Sequence, residues 1–123
     1  MSKPSILYTG LKPNHPAAQA IVDPEVIAKM LEQSIIDMRS AGYEDFTGCW
    51  IDPDEGTDEL VRLLRSKQWH GLLIGAGVRK SDSEVAWLET LIQTTKEESP
   101  HTQIIFNTSP KDNEAAAKRL KFP

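Results

Sequence analysis

Four short apolar runs alternate with four amphipathic segments along this chain, and no other feature restricts its fold so strongly. Ile6-Leu7-Tyr8-Thr9-Gly10 reads as a first strand. Asp23-Pro24-Glu25 then opens a helix: Asp23 can cap, Pro24 suits the first helical position, and Glu25 complements the dipole. Ile27, Met30, Leu31, Ser34, Ile35 and Met38 follow at spacings of three and four, which makes one face apolar. Gly42 stands where a left-handed C-terminal residue belongs. Phe46 to Ile51, opening near Glu44, is the second strand, and Pro53 and Gly56 end it. Thr57 is the expected cap of a helix reaching about Lys67, with Leu60, Val61 and Leu64 inward. Leu72-Leu73-Ile74, closed by Gly75-Ala76-Gly77, is the strongest strand, and its unbroken apolar run fits a strand covered on both faces. Ser81-Asp82-Ser83-Glu84 has the form of a capping box, and the helix behind it carries Val85, Leu88, Leu91 and Ile92 inward. Gln103 to Phe106 is the fourth strand, and a last helix runs from Asp112 to about Leu120.

Parallel strands need crossover helices, and such crossovers are right-handed. Strand and helix alternating four times therefore predict a three-layer α/β/α fold around a four-stranded parallel sheet. The closest architecture is flavodoxin-like, or more broadly Rossmann-like, shortened by one strand–helix unit, with strand order 2-1-3-4. The whole of 1–123 is expected to form that one domain. This resemblance is one of architecture and brings no family motif with it.

Composition narrows the function classes. Hydrophobic residues are 39% and charged residues 26% of 123, a globular balance. No apolar run approaches the ~20 residues that span a bilayer, so no membrane association is expected. Met1-Ser2-Lys3-Pro4 leads straight into the first strand without a signal-peptide core, and one cysteine excludes an intrachain disulfide. A reducing, cytoplasmic setting is the resulting expectation. The 14 basic and 18 acidic residues give a net charge of -4, which argues against extended nucleic-acid binding.

In an open parallel sheet, ligands collect at the carboxyl ends of the strands, where the strand order reverses. For order 2-1-3-4 that point lies between strands one and three, and the loops there are the two most unusual in the chain. The first, Gly10 to Val22, is about a dozen residues long where two to six are usual. It holds Lys12, Pro13, Asn14, His15 and Pro16, and its stretch from Pro16 to Ile21 could form a helical turn. The second, Gly75-Ala76-Gly77-Val78-Arg79-Lys80-Ser81, combines two glycines with two cations at a helix start, which suits phosphate, sulfate or carboxylate. It lacks the third glycine of a dinucleotide fingerprint and the Gly-Lys-Ser/Thr of a P-loop. The bland readings are a contact loop and a tight turn with solvated cations. The candidate ligand-binding residues are Gly10, Lys12, His15, Gly75, Gly77, Arg79, Lys80 and Ser81, with Asn107 and Thr108 contributing from strand four. His15 is the one candidate proton carrier.

Other patterns lead away from known chemistry. Asp52-Pro53-Asp54-Glu55-Gly56-Thr57 is similar to the Asp-x-Asp-Gly-Thr of haloacid-dehalogenase-type phosphatases. However, Glu55 is inserted, the motif ends the second strand, and no later acidic pair could hold magnesium, so it reads as a helix-capping acidic turn. It also falls short of a calcium loop. Receiver domains share the architecture but need an aspartate where Gly75 stands. Cys49 has no arginine near it to make a phosphatase loop and reads as a small buried hydrophobe. His15, His70 and His101 are too scattered for a metal triad, and no metal or cofactor is expected.

Two readings follow. The first is a protein that binds a small anionic ligand, phosphorylated or nucleotide-like, at the carboxyl ends of strands one and three. The alternative is a non-catalytic protein-interaction or dimerisation module, a homodimer for example. It would make contact through Trp87, at the edge of its helix face, or through the free edge of strand two or four. A convergent pocket of Arg79, His15 and Lys12 would favour the first, and a flat apolar patch at Trp87 the second.

Overall fold

A computed structural model describes residues 3–15, 23–78 and 84–122. It contains β1 (Ile6–Leu11), α1 (Pro24–Ser40), β2 (Phe46–Ile51), α2 (Asp58–Ser66), β3 (Gly71–Ile74), α3 (Val85–Glu98), β4 (Gln103–Phe106) and α4 (Asn113–Ala117). The four strands form one parallel sheet in the order β2-β1-β3-β4, as the alternation predicts. Ile6 of β1 lies opposite Phe46 on one side and Gly71 on the other, so the central strands start level.

Side chains alternate between the two faces of a strand, and that sorts the core into two halves. Leu7, Leu11, Cys49, Ile51, Leu72 and Ile74 pack with Leu60 and Leu64 of α2 and Trp87 and Leu91 of α3. Ile6, Tyr8, Phe46, Leu73 and Ile105 pack with Leu31 and Met38 of α1 and Ala116 and Ala117 of α4. Burial of each such leucine contributes about 1.5–3 kcal/mol. All of β3 is buried, which agrees with its unbroken apolar run.

Local chemistry sets the element ends. Asp23 Oδ1 accepts the Glu25 amide at 2.8 Å and caps α1, with Pro24 in the first turn. Gly42 takes φ 103° after α1. Its amide donates to Arg39 O and that of Tyr43 to Met38 O, closing a Schellman turn in which buried Met38 meets buried Tyr43. Asp52 and Glu55 form a reciprocal capping box on the short turn Pro53–Glu55, so this acidic segment caps a helical turn as the sequence suggested. Arg119 donates to Phe106 O and so meets the end of β4.

Three expectations need correction. Thr57 occupies the cap position of α2, but its side chain makes no capping bond; only its carbonyl accepts the Val61 amide. Met30 is exposed rather than inward on α1. The buried row of α3 is Trp87, Leu91 and Thr95, while Val85 is half exposed. These three residues recur every fourth position, and rotating the helix to bury them hides an indole, whose apolar area far exceeds that of a valine.

Candidate functional site

The observed strand order reverses between β1 and β3, so the strand ends from which the two loops leave stand side by side. The stem of the β3 loop is held from both sides. The Gly75 amide donates to Thr9 O at 2.9 Å, and that of Val78 to Gly75 O at 3.2 Å, so Ala76–Val78 is a 3-10 turn. The Ala76 amide donates to Asn107 Oδ1 at 2.9 Å. Asn107 Nδ2 in turn reaches Tyr8 Oη at 3.1 Å and Asn113 Oδ1 at 2.7 Å. Burial raises the Tyr8 phenol above its ordinary value, against the opposing pull of the Asn107 amide.

This network corrects the expected anion cradle. The amides of Gly75, Ala76 and Val78 are spent inside the protein. Neither Gly75 nor Gly77 has a positive φ. Gly75 is wedged against Tyr8 and Thr9, whereas Gly77 is exposed with open space where a side chain would stand. Arg79, Lys80 and Ser81, and with them the expected capping box, lie outside the described residues. So does the helical turn expected at 16–21.

From the other side of the crevice comes His15. Its Nε2 stands 3.9 Å from Glu84 Oε1, and both side chains are nearly covered, at 14% and 9% exposed. Glu84 occupies the cap position of α3 but makes no capping bond with its side chain. The contact joins the two loops across the point where the sheet order reverses. Sequence reasoning read Glu84 only as part of a capping box; its position behind a Gly-rich loop was the available signal.

Lys12 does not converge with His15. Its Nζ is 2.5 Å from Glu55 Oε1, which ties the β1 loop to the β2–α2 turn. The Lys12 ammonium, with the Asp52 amide next, holds the Glu55 carboxyl below its ordinary value. The acidic segment after β2 thus touches the β1 loop through Glu55.

The remaining candidates separate. Gly10 is buried with the Trp50 ring beside it. Asn107 is 1% exposed and works as an internal brace. Thr108 gives its amide to Asp112 at 3.0 Å and its hydroxyl to the same carboxylate, so it faces along its own chain. That hydroxyl, ahead of other causes, holds Asp112 below its ordinary value. Cys49 is buried, and burial pushes its thiol up to about 11, which suits an unreactive core residue. His70 is fastened to Ser5 through Nδ1. Trp87 is 7% exposed and belongs to the core. A separate open groove of about 400 Å³ lies between the β1 loop, the start of α1 and Trp50, with Pro13, Pro24 and Ala28 in its wall.

The chain matches no protein-family model, no curated protein and no solved structure. None of the described helices is long and apolar enough to cross a membrane.

Proposed function

We propose that the chain binds a small anionic ligand, phosphorylated or nucleotide-like, in the crevice at the carboxyl ends of β1 and β3. The observation that carries this reading is the His15–Glu84 contact, which bridges the two irregular loops at the reversal of strand order. Lys12 is engaged by Glu55, so the counter-charge in this reading comes from Arg79 and Lys80, which directly follow the braced turn Ala76–Val78. Asn107 serves the site by holding that turn still. No reaction is assigned.

One observation favours a second reading, an interaction or dimerisation module. The groove beside half-buried Trp50 lies near β2, an edge strand of the sheet. With Trp87 in the core, such a contact belongs to the β2 side.

A thermal-shift screen of phosphate, sulfate, nucleotides, flavin mononucleotide and sugar phosphates tests the first reading. Ligand at ~100 times its dissociation constant stabilises by ~2.7 kcal/mol, which raises the midpoint by several degrees. The expected result is a shift that Arg79→Ala removes. No shift from any compound, together with a dimer in sedimentation, would move the assignment to the second reading.

A further inference from the structure

Beneath the β3 turn, one backbone amide sets the direction of a chain of hydrogen bonds. The Ala76 amide can only donate, so the Asn107 atom that it meets at 2.9 Å is Oδ1. Asn107 Nδ2 therefore faces the other way, and it gives its two hydrogens to Tyr8 Oη at 3.1 Å and to Asn113 Oδ1 at 2.7 Å. Asn113 is fixed in turn, and its Nδ2 has no hydrogen-bond partner among the described residues. The Tyr8 hydroxyl accepts from Asn107, and its own proton meets no acceptor among the described residues. Tyr8 is 1% and Asn113 2% exposed, so bulk solvent supplies neither. Burial raises the Tyr8 phenol, and the amides of Asn107 and then Asn113 pull it back, which makes Asn113 a close neighbour of the hydroxyl. Room for an acceptor adjoins them at Gly75. This glycine is buried, and its φ is not positive, so backbone conformation does not call for it. A carbon built at its Cβ position would stand 3.5 Å from Thr9 O, 3.5 Å from Tyr8 Cε1 and 3.8 Å from Tyr8 Oη. Those are ordinary contact distances, so the spot takes one added atom without a clash. Thr9 O borders it, and after accepting the Gly75 amide at 2.9 Å it keeps a second lone pair.

We propose that this spot binds a single internal water molecule, which accepts from Tyr8 Oη and Asn113 Nδ2 and donates to Thr9 O. Three such bonds are what a buried water ordinarily makes. Without an acceptor, two buried donors would each carry the cost of leaving solvent. A water is small enough to be enclosed there and can both accept and donate, which the mixed set of protein groups requires. It ties the ends of β1 and β3 to α4. Gly75 is a glycine, in this reading, because any side chain would occupy the water's place.

Oxygen-17 magnetic relaxation dispersion, which counts long-lived buried waters, tests this on the full chain and on Gly75→Ala. The alanine methyl takes the water's place, so the variant should show one long-lived water fewer than the native chain. Its urea midpoint should also fall, because the Tyr8 and Asn113 donors lose their acceptor. A dry spot gives the opposite sign: alanine fills it, restricts the unfolded chain and raises the midpoint. An unchanged water count overturns the proposal, and so does a raised midpoint. A native stability that rises with chloride, and loses that dependence in Gly75→Ala, would put an anion there and overturn the water. Should Gly75→Ala fail to fold, Tyr8→Phe deletes one donor and adds no bulk. It should also show one long-lived water fewer, and an unchanged count there overturns the proposal as well.

Discussion

At the amino end of the sheet, His70 Nδ1 lies 3.0 Å from both the amide and the hydroxyl of Ser5. At the carboxyl end, His15 Nε2 stands 3.9 Å from a carboxylate on another loop. The same residue type does two different jobs. An amide can only donate, so Nδ1 of His70 accepts, and the ring is committed to one tautomer and one partner. Around it the Gln103 amide donates to His70 O, Thr102 Oγ1 donates to Trp69 O, and Ser99 pairs with Thr102, all at 2.5–3.0 Å. These neutral bonds fasten strand entries together. Ionisable pairs between loops occur at both ends: Lys67 with Asp45 at the strand entries, and His15 with Glu84 and Lys12 with Glu55 at the carboxyl end. The difference lies in the histidines: the one at the amino end is tied by neutral bonds to the strand entry, and the one at the carboxyl end faces a carboxylate from another loop.

The sharpest way to break that comparison is at Asn107, which sits at the carboxyl end yet behaves like the amino-end network. Asn107→Ala should lower stability by about 3 kcal/mol, because it leaves the Ala76 amide, Asn113 Oδ1 and Tyr8 Oη without this partner. Urea unfolding measures it. An unchanged midpoint would show that Asn107 is not a brace and would return it to the list of ligand contacts. Ser5→Ala should cost about 1 kcal/mol, since the Ser5 amide still reaches His70 and only the hydroxyl contacts are lost. Its ligand affinity should match that of the native chain; a change there would mean that the two ends are coupled. The smallest effect is expected at Thr108, and it depends on pH. Because the Thr108 hydroxyl holds Asp112 below its ordinary value of 3.8, that stabilisation is present above 3.8 and is lost as pH falls through the folded-state value. Thr108→Ala should therefore be slightly less stable than the native chain at pH 7, with the difference closing as the solution is acidified. A difference that persists in strong acid would show that packing, not the Asp112 charge, is what Thr108 supplies.

Much of this architecture was legible along the chain. β2 and β4 have the predicted bounds, and the Asp23 cap, the left-handed Gly42 and the acidic capping turn at Asp52 are all in place. Each depends on residues within a turn or two of one another, where backbone geometry and hydrogen-bond supply are decided locally. Strand order followed too, because right-handed crossovers leave few ways to arrange four such units. The helix faces were less secure. On α3, Val85 and Trp87 compete for the sheet, and the outcome depends on which hole the opposing Leu7 and Leu72 layer leaves to be filled.

The site was less legible than the frame, and for a definite reason. Spacing placed His15, Gly75 and Asn107 near the reversal point, but it said nothing about where each polar atom finds its partner. Asn107 looked like a ligand contact and is a brace across 31 residues to Ala76. Lys12 looked like an anion contact and is engaged by Glu55, while Glu84, unnoticed as anything but a cap, meets His15. Periodicity and caps are short-range properties, so the chain alone settles its strands, its helices and, through the handedness of crossovers, their order. Hydrogen-bond and ion-pair partners drawn from distant positions are chosen only when the sheet closes, because a polar group shut away from water must take whichever partner the packed structure brings within about 3 Å.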